Sequence, residues 1–228
     1  MNNMKNENKF LKNKKFIFIL SKGRSGSTWF SKELSLLLNG LNLGENRFFW
    51  EKFGRVKSTE KKNKMFNDFF RKEIAKTQKT IIIEKSTNLY LYLNELKELS
   101  VEKYFIILIR DEEEISISRK NFASNIFKPK RIIKRIRKLY KSYGFSFLFS
   151  LFSKLRLVLN SKGSFLERLL VTNPNEVILF NEIINSTNND NQVVQINYDN
   201  FKKDILKLEE IGLDFESIEV LKRKFRSN

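Results

Sequence analysis

The sequence predicts an α/β fold with a mostly parallel central sheet flanked by helices. Two observations point there. Four short β-rich runs, Phe16–Leu20, Thr80–Ile83, Tyr104–Ile109 and Val193–Ile196, are separated by stretches of helical periodicity. The first three runs also lack strict polar–apolar alternation, as strands buried on both faces do. Crossovers between such strands are right-handed.

The intervening elements follow in order. Ser27–Leu38 reads as an amphipathic helix. "TEKKNKMFNDFFRKEIAKT" places Met65, Phe66, Phe69, Phe70 and Ile74 on one helical face, and Asn88–Leu99 sets Leu89, Leu93 and Leu96 at helical spacing. A further helix is expected to begin near Asp111. No internal repeat or low-complexity linker interrupts the chain, whose 2 prolines are Pro129 and Pro174. One domain of 228 residues is expected, with a basic helical insertion at about 123–170.

Composition removes several chemistries. With no cysteine, disulfides, thiolate catalysis and cysteine-ligated metal are excluded. With no histidine either, acid–base work falls to carboxylates, lysine or tyrosine. The formal charge of +18 implies an anionic partner. It is concentrated: between Ile115 and Glu167 no acid occurs, while 13 lysines and arginines lie from Arg119 to Lys162. The first residues are too charged for a signal peptide, and no run reaches the roughly 20 apolar residues of a membrane span. A cytoplasmic protein is expected.

The segment "KGRSGSTWF", between the first strand and the first helix, points to anion binding. A helix's first turn leaves N–H groups unpaired and carries partial positive charge. Gly23 and Gly26 let the backbone approach a phosphate, Ser25, Ser27 and Thr28 offer hydroxyls, and Lys22 or Arg24 adds charge. The competing reading is an ordinary strand-to-helix turn with Ser27 or Thr28 as N-cap. It is not a Walker A loop, since no lysine follows Gly26.

Two more polar clusters follow strand ends: Glu84-Lys85-Ser86-Thr87 after the second strand, and "RDEEEISISRKNF" after the third. In parallel sheets ligands bind at carboxyl ends of strands, so all three clusters share one edge. Arg110 at a strand terminus and Ser118 two turns up the next helix can serve one phosphate.

This arrangement resembles the sulfotransferases that use 3′-phosphoadenosine 5′-phosphosulfate (PAPS). "GRSGSTWF" is similar to their 5′-phosphosulfate loop. "YFIILIRDEEEISISR" is similar to their 3′-phosphate motif, with Arg110 and Ser118 on its arginine and serine. "EKST" resembles the lysine signature between them, and "VVQINYDNFKKD" the family's late strand. The likeness runs from about Lys15 to Phe215. Glu112 and Thr87 stand where the family has prolines, and the glycine-rich adenine loop of the cytosolic aryl branch is missing, which favours the carbohydrate- or tyrosine-type branch.

The resemblance implies a P-loop-like three-layer fold and sulfuryl transfer from PAPS, without metal, to a hydroxyl or amine of a carbohydrate-bearing acceptor. Lys22, Gly23, Arg24, Ser25, Gly26, Ser27, Thr28, Arg110 and Ser118 would bind the co-substrate. Lys85 would stabilise charge on the bridging oxygen, and Glu45, after Gly44, would be the base, with Glu51 and Glu84 as alternatives. Two other classes compete: a nucleotide or small-molecule kinase, and a basic nucleic-acid-binding module. No helix-turn-helix, zinc or RNP-type signature supports the last.

The basic block "KPKRIIKRIRKLYKSYG" and the apolar "FSFLFSLFSKLRLVL" after it have two readings. One is a solvated helix followed by a core helix. The other is a contact surface, 128–159, for an anionic acceptor, acidic polymer or membrane surface, with Arg131, Lys134, Arg135 and Lys138 on it.

Overall fold

The computed structural model describes residues 11, 13–23, 25–75, 77–86, 89–126 and 174–226. Arg24, Thr87 and the basic run 128–159 lie outside them.

The α/β expectation holds. The described strands are β1 (Lys15–Ser21), β2 (Leu41–Asn42), β3 (Ile81–Lys85), β4 (Glu102–Ile109) and β5 (Val193–Asn197). They form one all-parallel sheet in the order β2-β3-β1-β4-β5. Among the helices, α1 (Ser27–Leu37), α2 (Arg47–Arg55) and α3 (Thr59–Ile74) precede β3, and α4 (Leu93–Lys97) precedes β4. Then come α5 (Glu112–Ile126), α6 (Pro174–Ser186), α7 (Phe201–Asp204) and α8 (Phe215–Arg226).

The strand interiors are apolar on both faces, so successive residues feed two separate cores. Phe16, Phe18 and Leu20 of β1 join Ile82, Phe105 and Ile107 on one face, where α2 and α3 contribute Trp50, Phe53, Phe66, Phe70 and Ile74. Ile17 and Ile19 join Ile83, Ile106, Leu108, Val194 and Ile196 on the other, covered by Phe30 and Leu34 of α1 and Ile218 and Leu221 of α8. The alternation is that of any strand; burying both sides makes it invisible as a hydropathy pattern. Phenylalanine does much of the filling. The Phe16 ring lies 5.3 Å from both Phe66 and Phe70, and each such aromatic pair contributes about 0.5–1.5 kcal/mol beyond area burial.

Two expectations need revision. Asn88–Leu99 is not one helix: Leu89–Tyr92 is 3₁₀ and only Leu93–Lys97 is α-helical. Leu89, Leu93 and Leu96 are still buried, because three- and four-residue spacing satisfies either winding. The short strand β2 has no sequence signal, since two residues are too few to show a period.

The chain divides into two compact units, Met1–Asp111 with Leu179–Asn228, and Glu112–Ile178. The first holds the sheet. The described part of the second comprises α5 and the start of α6, with Arg119 lying 3.9 Å from the Glu176 carboxylate. Glu112, Glu113 and Glu114 occupy the first turn of α5, where the helix dipole favours negative charge.

The order β2-β3-β1-β4-β5 fixes where a site can form. The chain leaves β1 toward the β2 edge while it leaves its neighbour β4 toward β5 on the other side, making the carboxyl end of β1 beside β4 the switch point of the sheet. Register puts Ile19 beside Lys85, Ser21 beside Leu108 and Ile109 beside Asn197. The residues after each strand therefore collect on one edge.

Candidate functional site

The loop after β1 adopts a conformation that leaves polar groups unsatisfied. Ser25 N–H donates to the Lys22 carbonyl at 3.3 Å, tightening the turn. Gly26, and not Ser27 or Thr28, takes the N-cap position of α1, at φ 80° and ψ 3°. That left-handed backbone disfavours residues with a Cβ. No side chain caps the helix, so its first-turn N–H groups lack both intrahelical and capping partners. The Ser25 side chain is 1% exposed, and its Oγ has no hydrogen-bond partner. Leaving a buried hydroxyl unpaired costs about 1–3 kcal/mol, so an orphan in a polar loop marks a place for a ligand group. Lys22 and Ser27 are buried beside it, Gly23 is half-buried and Thr28 is exposed. The Lys22 ammonium lies 5.2 Å from the Phe180 ring centroid, a cation–π contact with α6.

At the end of β3 the two charged residues part. Neighbours on a strand face opposite ways. Glu84 is fully buried, and its carboxylate accepts from Trp50 Nε1 at 2.7 Å, Asn46 Nδ2 at 2.8 Å and Ser86 Oγ at 3.0 Å. Burial pushes the Glu84 carboxyl up from its ordinary 4.5 to about 7, against the pull of these three bonds and of the Lys85 charge. Lys85 pairs instead with Glu45, whose Oε2 lies 3.7 Å from its Nζ. Glu84 is thus tied into the core-facing network, and the ion-pair partner of Lys85 is Glu45. The alternative base Glu51 sits half-buried on α2.

Beyond β4 and β5, Arg110 and Tyr198 meet. The Arg110 guanidinium carbon lies 5.9 Å from the Tyr198 ring centroid. The Tyr198 hydroxyl is buried without a hydrogen-bond partner, and it lies 2.5 Å from where a Cβ on Gly26 would be. Burial pushes its phenol pKa upward, with Arg110 pulling partly back, so the ring stays neutral and offers a hydroxyl donor. Tyr198 therefore links the β5 end to the loop after β1. It was absent from the sequence-based site; its signal was a tyrosine immediately after a strand ending on the same edge.

The structure brings together Lys22, Gly23, Ser25, Gly26 and Ser27 in one loop, with Lys85 and Glu45 as a pair at the neighbouring strand end and Arg110 against Tyr198. Ser118 is half-buried on α5, within the second unit. Among the described residues, no cluster of three or more acidic side chains is placed to hold a metal ion, and no helix is long and apolar enough to cross a membrane.

No family model matches the chain, and no curated protein does. Among solved structures, the chain is similar to a deoxyadenosine kinase from M. mycoides with bound dATP. Identity is 15% and the TM-score 0.36, over 92% of this chain and 99% of that one. The sequence resemblance implies a PAPS-dependent sulfotransferase, whereas the similar structure is that of a nucleotide kinase. At a TM-score of 0.36 it carries neither substrate nor mechanism to this chain.

Proposed function

We propose that the chain is a P-loop-like transferase that takes an anionic nucleotide as donor, with phosphoryl transfer to a nucleotide or small-molecule acceptor as its specific form. The observation that supports this is two buried, unpartnered hydroxyls, Ser25 Oγ next to Gly26 in the chain and Tyr198 OH packed against Gly26. A phosphate over the uncapped start of α1 would satisfy both hydroxyls and the first-turn N–H groups together. Lys22 adds charge from the loop, and Arg110 adds a second cation across the Tyr198 ring.

The chemistry follows from this edge. In-line transfer from a phosphate donor asks little covalent work of the protein and much positioning and charge neutralisation. Lys85, only 7% exposed, stabilises negative charge that develops on the transferring group, where low local dielectric strengthens the effect. Glu45 lies beside it, exposed toward solvent and so toward an incoming acceptor, and accepts the acceptor's hydroxyl proton.

Calorimetry with MgATP and with adenosine 3′,5′-bisphosphate, followed by assay of phosphoryl transfer from MgATP, tests the reading. Binding of MgATP with transfer to a nucleoside or small-molecule acceptor is expected. Binding of the bisphosphate without any transfer from MgATP would overturn the phosphoryl form, and binding of neither would overturn the nucleotide site itself.

A further inference from the structure

We propose that Glu84 is a positioning residue that clamps the segment Gly44–Asn46 onto the end of β3 and thereby holds Glu45 against Lys85. The proposal deepens the reading of Glu45 and Lys85 as the reactive pair, and rests on that reading for its functional meaning.

The clamp has three parts. Backbone bonds carry the chain alongside β3, from Leu43 N–H to the Ile83 carbonyl at 3.0 Å and from Lys85 N–H to the Gly44 carbonyl at 3.3 Å. Past that point pairing ends, and side chains take over. Asn46 N–H donates to Ser86 Oγ at 2.8 Å, and Ser86 Oγ donates onward to Glu84 Oε1. Asn46 Nδ2 donates to Glu84 Oε2 at 2.8 Å, and Trp50 Nε1, one turn into α2, donates to Oε1 at 2.7 Å. One buried carboxylate thus receives bonds from the residue after Glu45, from the helix that follows, and from the residue after Lys85.

Glu45 itself sits in the middle with an exposed side chain, joined to Lys85 at 3.7 Å. Its backbone is fixed on both sides: by Gly44, whose φ of 71° turns the chain, and by Asn46. An exposed glutamate left on a free loop would lose side-chain and backbone entropy on pairing and gain little. Fixing the backbone through Glu84 removes most of that loss beforehand, which is how a solvent-facing pair keeps one geometry. The arrangement also explains why a fully buried carboxylate stands at the end of β3.

Lys85 reactivity reports the clamp directly. The full-length chain would be treated briefly with acetic anhydride and acylation at each lysine read by mass spectrometry, with Lys103 as reference. Lys103 is buried in the same sheet and donates to the Leu99 carbonyl, away from the clamp. Glu45→Gln removes the carboxylate and should raise Lys85 acylation about three- to tenfold, because the amine is no longer held in the ion pair. Glu84→Ala and Asn46→Ala should raise it to the same extent with Lys103 unchanged. Glu84→Gln should stay near wild type, since its amide oxygen still accepts from Trp50 and the Asn46 amide can turn to accept.

If Glu84→Ala does not fold, Asn46→Ala decides alone, because it leaves Glu84 bonded to Trp50 and Ser86. Wild-type acylation of Lys85 in the alanine variants, or a parallel rise at Lys103, would overturn the proposal. So would an unchanged Lys85 in Glu45→Gln. The measurement uses no nucleotide, so a failure of MgATP binding would sink the transferase reading while leaving this result legible.

Discussion

The Tyr198 hydroxyl occupies the space a Cβ on Gly26 would need, 2.5 Å from that position, and the Tyr198 ring carbons follow at 3.0 and 3.3 Å. Two independent penalties therefore fall on any side chain there: the clash, and a φ of 80° that costs roughly 1–2 kcal/mol for an L-residue. Gly26→Ala should lower the unfolding free energy by about 2–3 kcal/mol, at the upper end of ordinary substitutions. It should also weaken nucleotide binding at least about tenfold, because the loop must shift off the start of α1. Urea titration and calorimetry read the two effects separately. Pairing the change with Tyr198→Phe should recover little stability, since the ring carbon remains at 3.0 Å.

Ser25 yields a prediction in which stability and affinity move in opposite directions. Its hydroxyl is buried and unpartnered in the free protein, so deleting it removes a desolvated polar atom. Ser25→Ala should leave the melting temperature unchanged or slightly raised. A hydrogen bond to a charged phosphate is worth about 1.5–3 kcal/mol, so the same change should weaken MgATP binding about 10- to 100-fold. A fall in melting temperature with intact affinity would mean that Ser25 serves the fold and not a ligand.

The strands were legible because parallel strands buried on both sides leave continuous apolar runs such as Phe16–Leu20, and the loop after β1 because glycine and hydroxyl residues crowd between strand and helix. Lys85, Arg110 and the glycine loop could be placed on one edge from parallel topology alone. What depended on packing was not legible. Nothing in "EKST" says which of Glu84 and Lys85 turns inward; that is decided by Trp50, 34 positions earlier, reaching the Glu84 carboxylate. Tyr198 and Gly26 are likewise brought together only by the β1–β4 and β4–β5 pairings. A two-residue strand such as β2 has too few side chains to carry a pattern at all.

Glu84 should make stability depend on pH in an unusual direction. Its carboxyl is raised from 4.5 to about 7 by burial, so between those values the native state holds a proton that the unfolded state has released. Stability then falls as pH rises through this window, by on the order of 3 kcal/mol in all, and levels off above about pH 7. The groups facing the carboxyl from α2 and its approach are Trp50 and Asn46, with Ser86 from the β3 end, none of which titrates here; the nearby charge is Lys85. Glu84→Gln removes the titration. Urea unfolding from pH 4.5 to 8 should show the difference between variant and wild type growing toward neutrality in the variant's favour. A difference that stays flat would mean the carboxyl ionises at its ordinary pH despite its burial.

Turnover separates the two members of the Lys85–Glu45 pair. Lys85 is buried, whereas Glu45 is exposed to solvent, so under the proposed transfer the lysine would meet the donor and the glutamate the acceptor. Glu45→Gln keeps the shape and removes the base, so turnover should fall about 10²- to 10⁴-fold with MgATP affinity near wild type. Lys85→Ala should lower turnover about 10²- to 10³-fold through lost charge stabilisation, and should also weaken donor binding. Their double variant should be far less than multiplicative, because the carboxylate and ammonium lie 3.7 Å apart and act as a pair. Near-normal turnover in Glu45→Gln would move the base to another carboxylate, and Glu51 on α2 would be the next to change.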